Sequence, residues 1–362
     1  MGFSCGIVGL PNVGKSTLFN ALTKKITAEA ANYPFCTIEP NEGTVVVPDK
    51  RIYKLSEISN SKKTIPATLK FYDIAGLVKG ASKGEGLGNK FLSHIREVDA
   101  IIHLVRCFDD ENITHVNNSI NPIDDSEVIE TELILSDLEM LEKIKVNLQK
   151  LVKKGDKDAV KKAPFIDQTI NHLSSGLATR SIKNISEIKE YLKEYNLITL
   201  KPVIYVCNVD EDSIKTGNNF SDIFKKNTNS NIILISADIE SQIATLSNDE
   251  QADFLSTLGL EESGLDKIIR EGYETLNLIT YFTSGEVESR AWTIEKNTLA
   301  PDAAGKIHSD FKNGFIRAET ISSDDFISCK GEVKARELGK LRSEGKDYIV
   351  QDGDVMHFLF NN

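Results

Sequence analysis

The sequence has no apolar run long enough to cross a membrane. Its longest, such as Ala100–Val105, fall far short of the ~20 residues a membrane helix needs, so no membrane partner is expected. Cysteine is sparse and unpatterned. Cys5, Cys36, Cys107, Cys207 and Cys329 are odd in number, widely spaced and contain no C-x-x-C pair. That argues against a disulfide framework or a zinc site and fits a reducing, cytoplasmic compartment. Each reads as a small buried hydrophobe, with Cys36 set apart by its place beside Thr37. Basic excess is also missing. Against 54 Asp and Glu stand 43 Lys and Arg, a net charge of −11. Such a chain cannot wrap nucleic acid over its whole surface, so any RNA contact must come from a local basic patch. No charged leader precedes the apolar stretch Phe3–Leu10, which reads as a first strand rather than a signal peptide. Gly6 stands where a myristoylated Met-Gly start would need Ser or Thr. We find no internal repeat and no low-complexity segment.

What is present is a globular balance. Over 362 residues, 40% hydrophobic and 27% charged, two or three domains are expected. Ser4–Val8, Leu69–Tyr72, Ala100–Val105, Val203–Cys207 and Ile232–Ile235 read as buried strands, with an edge strand near Thr44–Pro48. Continuous apolar runs predict a mostly parallel sheet covered by helices, an α/β fold. Residues 127–195 interrupt that pattern. Apolar positions recur at spacings of three and four from Ile134 to Leu151, and again from Ile166 to Leu177, with a break at Lys154–Asp156. This predicts an antiparallel helical hairpin; ordinary domain helices are the alternative. Its turn is basic, with eight Lys and two Asp between Lys143 and Lys162. After about residue 277, short strands predict a small α+β domain: Leu278–Thr283, Ala291–Ile294, Phe315–Thr320, Tyr348–Val350 and Val355–Phe360.

Gly9-Leu10-Pro11-Asn12-Val13-Gly14-Lys15-Ser16 fits G-x-x-x-x-G-K-[ST], with Thr17 following. It lies between a predicted strand and a predicted helix, Thr17–Lys24, the context a phosphate-binding loop requires. Glycines let backbone N–H groups close on phosphate, and the helix N-terminus adds positive potential. Lys15 would reach the β- and γ-phosphates, and the Ser16 hydroxyl would ligate Mg²⁺. Asp73-Ile74-Ala75-Gly76 follows the next strand. Asp73 can hold a metal-bound water, and the Gly76 N–H can sense the γ-phosphate. Thr37, in the loop before it, is a candidate second hydroxyl ligand to Mg²⁺. Asn208-Val209-Asp210-Glu211 follows the fourth strand, where this architecture reads the base. The guanine reader is N-K-x-D. Here Val209 replaces Lys and Glu211 replaces Asp, which leaves adenine at least as well suited as guanine. Ser236-Ala237 fits the loop that closes over the base.

Together these residues resemble the Obg-like ATPase (YchF) family within the translation-factor class of P-loop GTPases. The resemblance spans essentially the whole chain: Gly9–Thr17, Asn32–Gly43, Asp73–Gly88, Phe91–Asp99, Asn208–Glu211 and Ala303–Glu319. It implies a Ras-like P-loop domain over 1–276, a helical-hairpin insertion over 127–195, and a β-grasp TGS domain over 277–362. It implies Mg²⁺-dependent hydrolysis of ATP, and ribosome association through Lys143–Lys162 and the TGS domain. Where relatives place a glutamine to orient the attacking water, this chain has Leu77. His94, in F-L-S-H-I-R, matches a mobile-loop histidine thought to replace it; a structural histidine on a helix face is the plain alternative. The glycine-rich stretch Gly80–Gly88 would give that loop freedom to move. Asn12 resembles the asparagine with which potassium-activated relatives hold K⁺. Asp238 stands where the family usually has Lys. A GTPase of the same fold, or a ribosome-docking module that uses nucleotide only as a ligand, are the competing functions. A monomer is expected.

Overall fold

In the computed structural model, the described residues are 3–30, 38–39, 41–74, 87–115 and 119–361. The strands in chain order begin with β1 (Ser4–Val8), β2 (Ile38–Glu39), β3 (Glu42–Val46), β4 (Thr64–Ile65) and β5 (Thr68–Asp73). Next come β6 (Ala100–Cys107), β7 (Val203–Val209), β8 (Ile232–Ile235), β9 (Leu278–Ser284) and β10 (Ser289–Glu295). The last are β11 (Phe315–Ser322), β12 (Arg342–Glu344) and β13 (Asp354–Phe360).

Seven strands form one sheet in the order β2-β3-β5-β1-β6-β7-β8. β5, β1, β6, β7 and β8 run parallel, whereas β3 pairs antiparallel with β5. Every residue of β1 and β6 is buried, as expected for central parallel strands covered on both faces. The edge strand expected near Thr44–Pro48 is β3, Glu42–Val46, which lies one place in from the edge because β2 pairs outside it, and it stops short of Pro48, which has no N–H to give the ladder. Helix α1 (Lys15–Ala30) lays Leu18, Leu22 and Ile26 against this sheet, and α2 (Lys50–Ile58) buries Ile52 and Leu55. Helix α3 (Leu87–Glu97) leads directly into β6.

The hairpin is formed by α4 (Pro122–Lys153) and α5 (Lys157–Ser174). Asn121 caps α4 through its side chain, with Pro122 at the first turn, and Asp156 caps α5. α4 belongs to two cores. Ile129 and Leu133 pack with the main sheet, while Leu141 and Leu148 pack with Ile166 and Leu173 of α5. At 1.5 Å per residue its 32 residues give a rod of about 48 Å. The expected stretch to 195 holds more than two helices. After Ser174 the chain turns back through the short helix Ile185–Leu192, and Tyr191 stacks on Phe165 at 4.4 Å.

The second sheet runs β12-β11-β13-β9-β10-β4. β4 pairs parallel with β10, so this sheet recruits residues from the first quarter of the chain. The two sheets share a core in which Leu278, Phe282, Phe326 and Val355 join the residues packed on β1 and β5. Tyr348–Val350, expected as a strand, makes only an isolated bridge from Ile349 to Leu299. There the Gln351 N–H bonds the Asp354 carboxylate (2.9 Å) and turns the chain. The charged segment Arg342–Glu344 takes the edge instead, where polar residues face water without cost.

Candidate nucleotide-binding site

The site lies at the carboxyl ends of the parallel strands, where β1 hands over to α1. Backbone geometry at the turn is set by two residues with positive φ, Asn12 at 62° and Gly14 at 96°. A Cβ on Gly14 would fall 2.4 Å from Asn208 Nδ2, and one on Gly9 2.5 Å from the Leu104 carbonyl oxygen. Both positions therefore need glycine for close approach, and Gly14 also for its φ.

Lys15 opens α1 with a side chain that is 8% exposed. Its Nζ donates to the Leu10 carbonyl at 2.9 Å. Burial pushes its ammonium below the ordinary lysine range, and the charge of Asp73 pulls it partly back. Burial pushes the Asp73 carboxyl up, and Lys15 pulls it partly down. Asp73 reaches this position because β5 runs in register with β1, with Ile7 opposite Asp73. Ser16 is exposed at the first turn of α1, and Thr17 is half-buried behind it. A serine hydroxyl and a carboxylate both offer hard oxygen donors, the chemistry that suits Mg²⁺. Thr37, Gly76, Leu77, Cys36 and residues 80–86 lie outside the described residues.

His94 is exposed on α3. It lines, with Asn41, Glu42, Tyr72, Asp73, Ile74, Glu97 and Val98, a cavity of about 210 Å³. His94 and Asp73 thus line one space, although they are 21 residues apart in sequence.

The base-reading segment divides into two parts. Asn208 is buried, and its Nδ2 donates to the Val13 carbonyl (3.0 Å) while its Oδ1 accepts from the Ala237 N–H (2.9 Å). Asn208 therefore ties the phosphate loop to the Ser236-Ala237 turn with one amide N–H and one oxygen lone pair, and keeps a second of each for a ligand. Val209 is 2% exposed at the end of β7, and Ser236 and Ala237 are buried at the start of the helix Ala237–Ile243. Glu211 is exposed and accepts from Gln242 Nε2 at 3.3 Å.

Sequence reasoning missed Arg106. It is 1% exposed and gathers the following loop by donating to the carbonyls of Phe108 (3.1 Å), Ile113 (3.0 Å) and Asp110 (3.4 Å). That loop presents the Thr114 carbonyl to Asn12 Nδ2 (3.0 Å). His115 then bonds Asp125 of α4 at 2.8 Å, with both side chains buried. An arginine inside the apolar run of β6 was the available signal, because a buried charge must be heavily bonded.

Two profiles match this chain. One, described as 50S ribosome-binding GTPase, covers residues 4–148. The other, YchF-GTPase_C, described as a protein of unknown function (DUF933), covers residues 278–361. The ribosome-binding ATPase YchF of Escherichia coli O157:H7 is 54% identical over 100% of both chains. Its counterpart in Bacillus subtilis (strain 168) is 52% identical, again over 100% of both. The chain belongs to the YchF family. The solved structure of the Schizosaccharomyces pombe YchF GTPase is 39% identical, with a TM-score of 0.88 over 99% of this chain and 98% of that one. The relatives' names differ on the nucleotide, ATPase for the two bacterial proteins and GTPase for the yeast structure. For this chain the question therefore falls on Asn208–Glu211. Among the described residues no helix is long and apolar enough to cross a membrane.

Proposed function

We propose that this chain is a cytoplasmic ATPase that hydrolyses ATP to ADP and phosphate and uses the two nucleotide states to control its binding to ribosomes. The observation that carries this reading is the buried Lys15 at the head of α1 beside the half-buried Asp73. A dehydrated ammonium and a carboxylate held against the cost of burial are maintained for a charged ligand. Identity over the whole length to relatives named ribosome-binding ATPases supports the same reading.

The chemistry follows from the residues. Lys15 would exchange its bond to the Leu10 carbonyl for the β- and γ-phosphate oxygens. The N–H groups from Asn12 to Thr17 would cradle the phosphates, shaped by the two positive-φ positions. Ser16, Thr37 and a water held by Asp73 would bind Mg²⁺, which neutralises charge developing on the phosphates. Gly76 would sense the γ-phosphate. His94 would orient the attacking water from the cavity it shares with Asp73. Asn12, whose Nδ2 is committed to Thr114, retains an amide oxygen suited to K⁺.

On the base side, Asn208 organises two loops, while Val209, Ser236 and Ala237 form the wall. Selection falls to Glu211, which is longer than the aspartate of the guanine reader and bonded to Gln242. That favours ATP. A GTPase of the same fold is the second reading, favoured by the name of the yeast structure. Ribosome docking is assigned to the Lys143–Lys162 face and the small C-terminal sheet, by a monomer. Steady-state hydrolysis of ATP and GTP by the parent and by Lys15→Ala tests the enzyme reading. The expected result is slow ATP turnover, lost in the variant; turnover that survives the substitution would contradict it.

A further inference from the structure

The last turn of α3 faces two ways. His94 and Glu97, three apart, with Val98 just beyond the helix, line the Asp73 cavity. Arg96 projects from the other side onto the root of the hairpin. Its Nη1 donates to Asp137 Oδ1 (2.8 Å) and the Asn196 carbonyl (3.3 Å). Its Nη2 donates to Ser136 Oγ (2.9 Å) and the Ser136 carbonyl (3.3 Å).

Asp137 is fully buried, at the place where α4 passes from the main core to the hairpin core. It also accepts from the Ile198 N–H (3.1 Å), the Thr199 N–H (2.7 Å) and Thr199 Oγ1 (2.7 Å), just before β7. Lys201 secures the same turn from beneath by donating to the carbonyls of Arg96 (2.9 Å) and Val98. A buried carboxylate with four donors permits one arrangement of the groups around it, because an unpaired bond there is costly.

We infer that Arg96 is a positioning residue for hydrolysis: its bonds to Ser136 and Asp137 fix the turn that carries His94 over Asp73, and so couple hairpin position to turnover. The inference rests on the proposed role of His94. A partner that displaces the hairpin moves the α4 root, and Arg96 passes that displacement to the imidazole. Misplacement of a catalytic group by about 1 Å is enough to cost up to ~100-fold in rate.

The test uses the full-length chain with ATP and Mg²⁺, comparing the parent with His94→Ala, Arg96→Ala, Arg96→Lys and the His94→Ala/Arg96→Ala double variant. kcat is read alongside equilibrium affinity for a non-hydrolysable ATP analogue. Arg96→Ala is expected to lower kcat about tenfold with affinity changed less than twofold. Arg96→Lys keeps the charge but not the forked reach, and should fall between. The double variant should be no slower than His94→Ala, because both changes remove one function. Parental kcat in Arg96→Ala beside a slow His94→Ala overturns the coupling and leaves the role of His94 standing. Equal losses of kcat and affinity in Arg96→Ala and Arg96→Lys, or multiplying losses in the double variant, also overturn it. Parental kcat in His94→Ala removes the underlying reading, and the positioning role with it.

Discussion

Asp73 is held in the folded chain with its carboxyl raised above the ordinary 3.8, chiefly by burial. A raised carboxyl binds its proton more tightly folded than unfolded. Stability without nucleotide is therefore highest at low pH in this term and declines as pH rises from about 4 through the raised value. Asp73→Asn removes the decline. We expect a melting temperature about 2 °C higher at neutral pH without nucleotide, and hydrolysis at least ~100-fold slower. Calorimetry and a phosphate-release assay check the two halves. Gly14→Ala meets both a φ of 96° and a 2.4 Å approach to Asn208. It should weaken binding of an ATP analogue by at least ~10-fold, measured by fluorescence titration. At this scale the sequence was legible where chemistry follows a fixed spacing. Gly9 to Ser16 announces its own geometry, because only a strand–loop–helix can use that pattern. Asn208 is legible as part of the base-side segment, but its bonds to Val13 and Ala237, across 195 and 29 residues, are added by the structure and no local pattern reveals them. Arg96 was missed for the same reason, with partners 40 to 100 residues away, whereas Arg106 bonds carbonyls two to seven residues ahead, in a loop without a recognisable motif.

Among the elements, the parallel strands were readable because strands buried on both faces need unbroken apolar runs. Thr64–Ile65 and Arg342–Glu344 were not, since two or three residues carry no period, and each exists only because a neighbour offers an open edge. The hairpin was legible as heptad-like spacing, but its length was not. α4 starts inside the main core at Pro122 and carries the same periodicity through both cores. Leu141→Ala in the hairpin core should cost about 2–4 kcal/mol locally. Hydrogen exchange should show α4 and α5 opening together, with affinity for the ATP analogue unchanged. Loss of nucleotide affinity in that variant would mean that the hairpin core supports the site directly.

Across the whole molecule, a net charge of −11 and a basic hairpin tip stand in opposition. Lys143, Lys145 and Lys162 are paired with Glu139, Asp167 and Glu194. Lys150, Lys153, Lys154, Lys157 and Lys161 stand exposed around the turn, beside the exposed Val146, Leu151 and Val160. Changing Lys150, Lys153, Lys154 and Lys157 to Glu should weaken ribosome co-sedimentation. The slope of log affinity against log salt should flatten by about one for each phosphate that is no longer neutralised. Basal hydrolysis should stay at the parental rate, because this face lies at the far end of α4 from Lys15. At the opposite end of the molecule lies the P-loop, whose proposed preference for adenine rests on Asn208–Glu211. The most direct measurement is the equilibrium affinity of the purified chain for non-hydrolysable ATP and GTP analogues with Mg²⁺. We expect the ATP analogue to bind at least ~10-fold more tightly. Tighter binding of the GTP analogue would contradict the role given to Glu211 and return the chain to the guanine-specific members of its fold.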